Sequence, residues 1–297
     1  MTVLMNIGCG TVCHRDWINL DIHPSGSQVR RWDVKEGLPC GDEEVDVCYA
    51  SHVVEHLSPA DAEGLLRQCH RVLKNRGIIR IVVPDLEGLA REYTSALDRV
   101  DRGDPLASAD HKWIVMELLD QMVRTKSGGE MLRYLMSGAV PNETYVRSRI
   151  GADAEDMIKR GSGLTEPYPS AIQHGLRGRL RDAVSRSKNP RSLLTGFAKY
   201  AREEVAILLC GALLGRQGRE AIREALFRTS GECHRWMYDR ISLQQLLERS
   251  GFSQALVCTA FESQIERFAL YGLDVVKGRI RKPDSLFMEA VKQSSSA

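Results

Sequence analysis

The stretch Val3-Leu4-Met5-Asn6-Ile7-Gly8-Cys9-Gly10, followed closely by Trp17-Ile18-Asn19-Leu20-Asp21-Ile22, constrains this chain more than any other feature. An apolar strand runs into a glycine turn and a second strand ends on a carboxylate, which is how an open α/β sheet opens when it holds a nucleoside beyond its strands. Gly8 and Gly10 supply backbone angles closed to other residues, and Asp21 is placed to accept both ribose hydroxyls. A dinucleotide site needs a third glycine, opening a long helix whose N-terminus faces a pyrophosphate. Residues 11–20 contain no glycine and leave little room for a helix before Asp21. The turn therefore suits a nucleoside cofactor without phosphates, and S-adenosylmethionine is the obvious one.

The following segment continues the pattern. Asp33 closes a short strand-like run, Val29-Arg30-Arg31-Trp32, where a carboxylate could accept from an adenine amino group. After the acidic turn Gly41-Asp42-Glu43-Glu44 comes a buried-strand signal, Val45 to Ala50, leading into Ser51-His52-Val53-Val54-Glu55-His56-Leu57. Ser58 reads as an N-cap with Pro59 in the first turn. Leu65, Leu66, Cys69, Val72 and Leu73 give that helix one apolar face, and Asn75-Arg76-Gly77 ends it. Ile78 to Val83 is an apolar strand interrupted only by Arg80.

Together these residues resemble the class I S-adenosylmethionine-dependent methyltransferases, closest to the small-molecule and glycan-associated branch often labelled methyltransferase type 11. The matching pieces are Asn6-Ile7-Gly8-Cys9-Gly10, Asn19-Leu20-Asp21, Leu38-Pro39 before the acidic turn, Val54-Glu55-His56-Leu57, and Arg71-Val72-Leu73-Lys74 with Gly77. Gly231 to Asp239 and Lys282-Pro283-Asp284-Ser285-Leu286 also look like members encoded among polysaccharide-assembly genes. The resemblance implies that Gly8, Gly10, Asp21, Asp33 and Ser51 line the cofactor site. It also implies a Rossmann-like α/β sheet of seven strands with the last antiparallel. Further strands are expected over Ala255 to Ala260 and Leu286 to Val291, with Ser242-Leu243-Gln244-Gln245 as a capping box opening the helix before them.

A chain of 297 residues, 43% hydrophobic and 27% charged, has room for one large domain with a sizeable insertion. Residues 94–230 carry no convincing strand and show helical periodicity at Trp113, Met116, Leu119, Met122 and Val123. The expected division is a cofactor-binding core of residues 1–93 and 231–297 around a helical insertion of residues 94–230, acting as lid and acceptor-binding element. No apolar run is long enough to span a membrane and no signal peptide is evident, so the default compartment is the cytoplasm. Eight cysteines without a CxxC pair suit a reducing compartment, and a net charge of +2 gives no reason to expect nucleic acid. Arg177, Arg179, Arg181, Arg186, Lys188, Arg191 and Lys199 precede the apolar run Val205 to Leu214. Residues 177–214 thus suit either a peripheral contact with an anionic membrane or a solvated face joined to a buried helix. Oligomeric state stays open.

Chemistry is expected beyond the carboxyl ends of the strands. His52, Glu55 and His56 fall on one face of a helical turn. Three readings stay open: they fix the loop by hydrogen bonds; His52 or His56 is a general base for a hydroxyl proton; or His52, Glu55 and His56 hold a divalent metal, although no metal is the default. His234 is another candidate base. Asp120, Gln121, Arg124 and Tyr238 are candidate acceptor-binding residues, Arg124 for an anionic group and Asp120 for hydroxyls. The expected activity is O-methylation of a hydroxyl on a sugar, glycan or related small-molecule intermediate. The alternatives are a non-sugar natural product, or a non-catalytic binding module that kept the cofactor fold.

Overall fold

The computed structural model describes residues 2–162 and 190–293. Its centre is a seven-stranded sheet of β1 (Leu4–Ile7), β2 (Trp17–Asp21), β3 (Val29–Arg31), β4 (Val45–Ser51), β5 (Leu73–Pro84), β6 (Phe252–Cys258) and β9 (Ser285–Lys292), in the order β3-β2-β1-β4-β5-β9-β6. The first five strands pair in parallel, and β9 runs antiparallel between β5 and β6. The order reverses at β1, and in such a sheet ligands bind beside that switch, at the carboxyl ends of the strands. This is the Rossmann-like methyltransferase sheet, with the last strand inserted antiparallel, that the sequence led us to expect.

Two layers cover the sheet unequally. On one face α1 (Pro59–Val72) and α8 (Arg240–Arg249) pack over Met5, Ile7, Leu20, Cys48, Ile79 and Met288. The helix α1 is capped as its sequence suggests, the Asp61 amide donating to Ser58 Oγ at 3.2 Å. The cap of α8 lies three residues earlier than expected: the Asp239 carboxylate accepts from the Ile241 and Ser242 amides, and Ser242 Oγ accepts from the Asp239 amide. An aspartate carries two acceptor oxygens and so outcompetes Ser242 for the role, which makes Ser242 the third helical residue of the box.

Among the described residues the other face is covered without a long helix. Leu4, Trp17, Val47, Tyr49, Val82 and Phe287 are covered there by residues 259–284, through Ile265, Phe268 and Leu273, with a small hairpin of β7 (Val275–Val276) and β8 (Arg279–Ile280). This arrangement accounts for Arg80, the lone charge in the Ile78–Val83 stretch of β5. Its guanidinium is fully buried and donates to Asp274 at 2.7 Å and Glu289 at 2.6 Å, and to the carbonyls of Thr259 and Glu262 at 3.0 Å each. A buried charge is tolerated only when paired and hydrogen-bonded throughout.

After β5 the chain leaves the sheet through α2 (Leu86–Asp101), α3 (Ala107–Val123), α4 (Gly129–Leu135), α5 (Glu143–Ile150), α6 (Ala152–Ser162) and α7 (Pro190–Arg228), the last kinked at Gly215. The buried face of α3 is Ala107, Asp110, Trp113, Ile114, Glu117 and Asp120, whereas Leu119 and Val123 are exposed, which corrects the apolar face expected from the sequence. Each buried acid has a cation: Asp110 pairs Arg99, Glu117 pairs Arg149 and Asp120 pairs Arg124. The chain returns along residues 233–239 across the carboxyl end of β5, where the Leu86 amide donates to the Tyr238 carbonyl. Among the described residues no helix is long and apolar enough to cross a membrane.

Candidate functional site

The turn after β1 is held without a helix. Asn6 and Asn19 face each other in the parallel register of β1 and β2, and Asn6 Nδ2 donates to Asn19 Oδ1 at 3.1 Å and to the Val12 carbonyl at 2.9 Å. Asn19 Nδ2 in turn donates to the carbonyls of His14 and Trp17. Two buried amides thereby satisfy the loop carbonyls that a helix would otherwise satisfy internally. Gly8 and Gly10 both have positive φ, 63° and 54°. A Cβ on Gly8 would meet Val53 Cγ2 at 2.4 Å, but one on Gly10 would meet nothing within 4 Å. The main chain at Gly10 therefore faces open space, as a turn that receives a ligand must.

That space is a cleft of about 250 Å³. It is lined by Gly8, Cys9, Gly10 and Thr11 of the turn, by Ser51 and His52, and by Leu273, Asp274, Arg281 and Lys282. Asp21 stands beside it, Oδ2 accepting from the Gly10 amide at 2.8 Å and Oδ1 from His23 at 2.7 Å, with lone pairs left for hydroxyl donors. Asp33 caps the short turn after β3, accepting from the Lys35 amide at 3.0 Å. The Cys9 thiol is pushed up to about 12, by burial first and the Asp21 charge second, so it is no nucleophile here. A second hollow of about 500 Å³ lies at the amino edge, lined by Leu4, Asp46, Lys74 and Gln264, away from the glycine turn.

Residues 273–282, which bring Leu273, Asp274, Arg281 and Lys282 to the cleft, carry no local sequence signal of that role, the cover being expected from residues 94–230; among the described residues no part of 94–230 lines the cleft. Ser285, at the start of β9, stands out in the sequence only as part of a motif.

His52 is the candidate base that lines the cleft. It closes β4 with φ of 55°, a conformation that side chains other than glycine adopt at a cost and that clusters at functional sites. Its Nε2 lies 2.9 Å from Ser285 Oγ and its Nδ1 3.1 Å from Glu55 Oε1. Glu55 is fully buried. Burial alone would raise its pKa, yet the neighbouring histidines, His52 foremost, hold it below the ordinary glutamate value.

His56 and His234 stand behind His52 and do not line the cleft. Their rings pack edge to face at 4.8 Å, and His56 Nδ1 lies 3.3 Å from the Cys233 carbonyl. Burial first, with His56, His52 and Arg124 adding to it against the opposing pull of Glu55, depresses the His234 pKa to about 3. The structure thus groups Glu55 with His56 and His234, and sets His52 between Glu55 and the cleft it lines.

The expected acceptor residues sit in the same inner region. Arg124 pairs with Asp120 at 3.1 Å and Glu232 at 3.3 Å, Asp120 accepts from the Glu130 amide, and the Gln121 carbonyl accepts from the His234 amide. Tyr238 is buried, and burial first, then the Glu55 charge, raises its phenol to about 12. None of these four side chains lines the cleft. Of the basic segment expected to touch a membrane, Arg177, Arg179, Arg181, Arg186 and Lys188 lie outside the described residues.

Residues 5–81 match the family model described as "Methyltransferase domain". No curated protein matches the chain. Among solved structures it is similar to the YcgJ protein from Bacillus subtilis, at 19% identity and a TM-score of 0.23, covering 33% of this chain and 52% of that one. It is similar to the CurJ carbon methyltransferase, at 10% identity and 0.36, covering 99% and 49%. A S-adenosylmethionine-dependent methyltransferase from Archaeoglobus fulgidus aligns at 21% identity and 0.27, covering 56% and 82%. The chain spans about half the length of the first two. The matched stretch carries the glycine turn, Asp21, Asp33 and Ser51.

Proposed function

We propose that this chain is a S-adenosylmethionine-dependent methyltransferase that transfers a methyl group to a hydroxyl of a sugar, glycan or related small-molecule intermediate. The observation that carries the reading is the position of His52: it lines the same cleft as Gly8, Gly10 and Ser51, with one ring nitrogen against a hydroxyl and the other against a buried carboxylate. S-adenosylmethionine supplies an activated methyl group on a sulfonium centre. The protein has to bind that cofactor, align an acceptor and remove its proton.

Gly8 and Gly10 let the cofactor approach the main chain, Asp21 accepts its ribose hydroxyls, and Asp33 and Ser51 complete the polar lining. His52 is the general base. The Glu55 carboxylate, 3.1 Å from Nδ1, draws the imidazole proton to that side by charge, which leaves the lone pair of Nε2 directed at a hydroxyl, the place Ser285 Oγ fills. An acceptor hydroxyl replaces Ser285 at that nitrogen or passes its proton through it. The sugar class of the acceptor is carried over from the resemblance of residues 231–239 and 282–286 to glycan-associated members.

The test uses methyl-labelled cofactor with cell extract, and mass spectrometry of the products. His52→Ala and His52→Gln should bind S-adenosylhomocysteine like the parent while losing on the order of 10²–10⁴-fold in methyl transfer. Undiminished transfer by both variants removes His52 as the base, and cofactor binding without any transfer in the parent favours the non-catalytic module.

The reading includes a peripheral contact with an anionic membrane through residues 177–214. What supports it is the stripe Val205, Leu208, Leu209, Leu213 and Leu214 on α7, all more than half exposed, following a basic run of sequence.

A further inference from the structure

Glu55 presents an accounting problem. Its carboxylate is fully buried, and neither oxygen has an aligned hydrogen-bond donor among the described residues; the His52 contact is a close but off-axis ion contact. The buried Tyr238 hydroxyl nearby is also without a partner. Buried polar atoms in folded proteins are almost always satisfied, so an orphaned carboxylate marks a place where something else belongs. Beside it stand two imidazoles from distant parts of the chain, His56 from the same turn and His234 from the returning segment, and one ligand atom from each of the three residues lies within 4.8 Å of the others.

We infer that Glu55, His56 and His234 form a binding site for a divalent transition-metal ion, which joins the Val54–His56 turn to the segment 233–238.

The tautomer of His56 fits this role. A carbonyl only accepts, so the Cys233 carbonyl at 3.3 Å requires His56 Nδ1 to be the donor and leaves the Nε2 lone pair to ligate. Metal-bound histidines are oriented by such a carbonyl partner on the other nitrogen. The backbone already brings the two pieces together: the amides of Arg235 and Trp236 donate to the Glu55 carbonyl at 2.7 and 3.2 Å. In the inferred site the ligand atoms, within 4.8 Å of one another, close in by side-chain rotation to hold one ion, since a zinc ion takes nitrogen and oxygen ligands at about 2.0–2.2 Å. Two imidazoles and one carboxylate suit Zn²⁺, Co²⁺ or Fe²⁺, whereas Mg²⁺ and Ca²⁺ call for oxygen ligands. None of the three residues lines the cofactor cleft; the site shares Glu55 with the proposed base His52, but Co²⁺ binding is read without any methyl transfer, so its test does not depend on that reading.

The experiment is a titration of the full chain, stripped with chelator, using Co²⁺ as the probe. One equivalent should bind, give the visible absorption of nitrogen-ligated Co²⁺, and be displaced by Zn²⁺ but not by Mg²⁺. His56→Gln and His234→Gln should each weaken Co²⁺ binding by at least about tenfold. X-ray absorption of the parent's Zn²⁺ complex serves should either variant fail to fold: it should show imidazole scattering and no sulfur. No stoichiometric binding, unchanged affinity in folded variants, or a sulfur shell at about 2.3 Å, meaning that cysteines hold the ion, would overturn the inference.

Discussion

At the scale of single residues, Gly8 and Gly10 separate two costs that sequence reading lumps together. Both adopt positive φ, so alanine at either is strained by about 1–2 kcal/mol. At Gly8 the added methyl also collides with Val53 at 2.4 Å, and Val53 adjoins the turn that carries Glu55. Gly8→Ala should therefore lower the melting temperature markedly, whereas Gly10→Ala, facing open space, should cost less stability and act mainly by weakening S-adenosylhomocysteine binding. Equal losses of stability in the two variants would contradict this division. Gly8, Gly10 and Asp21 are legible because backbone angle and charge at a strand end are local properties, whereas Ser51 comes only with the family resemblance. Ser285, which meets His52, and the cleft-lining Asp274, Arg281 and Lys282 are not legible, because side chains more than two hundred residues from Ser51 and His52 leave no local spacing to read. The grouping of Glu55 and His56 with His234 escaped for the same reason.

At the scale of elements, strands and caps follow from local pattern while buried charge defeats periodicity. The strands β1, β2, β4 and β5 read directly from apolar runs, but α3 hides its inward face by placing Asp110, Glu117 and Asp120 on it, each paired with an arginine from elsewhere. The cap of α8 gives a clean measurement: Asp239→Ala should destabilise the protein by about 1 kcal/mol in denaturant unfolding, within a range of roughly 0.5–2. A second concerns Asp46, which joins β4 to the amide of Val3 at 2.7 Å and to Lys74 at 2.8 Å. Burial pushes its pKa up, but the bonds from Lys74 and Val3 outweigh this and hold it below the usual 3.8. A depressed carboxylate binds fewer protons when folded, so its stabilisation is complete above about pH 4 and is lost as pH falls through the folded value. Melting curves between pH 2.5 and 5 should show a shallower acid loss in Asp46→Asn than in the parent, and parallel curves would rule this out.

At the scale of the whole molecule, the sheet supplies one cofactor cleft, a short cover from residues 259–284 on the helix-poor face, and a helical excursion that returns at the sheet's carboxyl edge. The exposed stripe on α7 belongs to this scale, since nothing in the core requires it. Replacing Leu208, Leu209 and Leu213 with serine should reduce sedimentation with anionic vesicles and leave the fold intact, and unchanged sedimentation would remove the membrane contact. The central claim is that the Gly8–Gly10 turn and Asp21 hold S-adenosylmethionine, and calorimetry with S-adenosylhomocysteine tests it most directly. The parent should bind it and show no heat with NAD, and Asp21→Ala should weaken binding by about 1.5–3 kcal/mol, the range for hydrogen bonds to a charged group. Affinity unchanged in Asp21→Ala, or a parent that binds NAD and ignores S-adenosylhomocysteine, would contradict it.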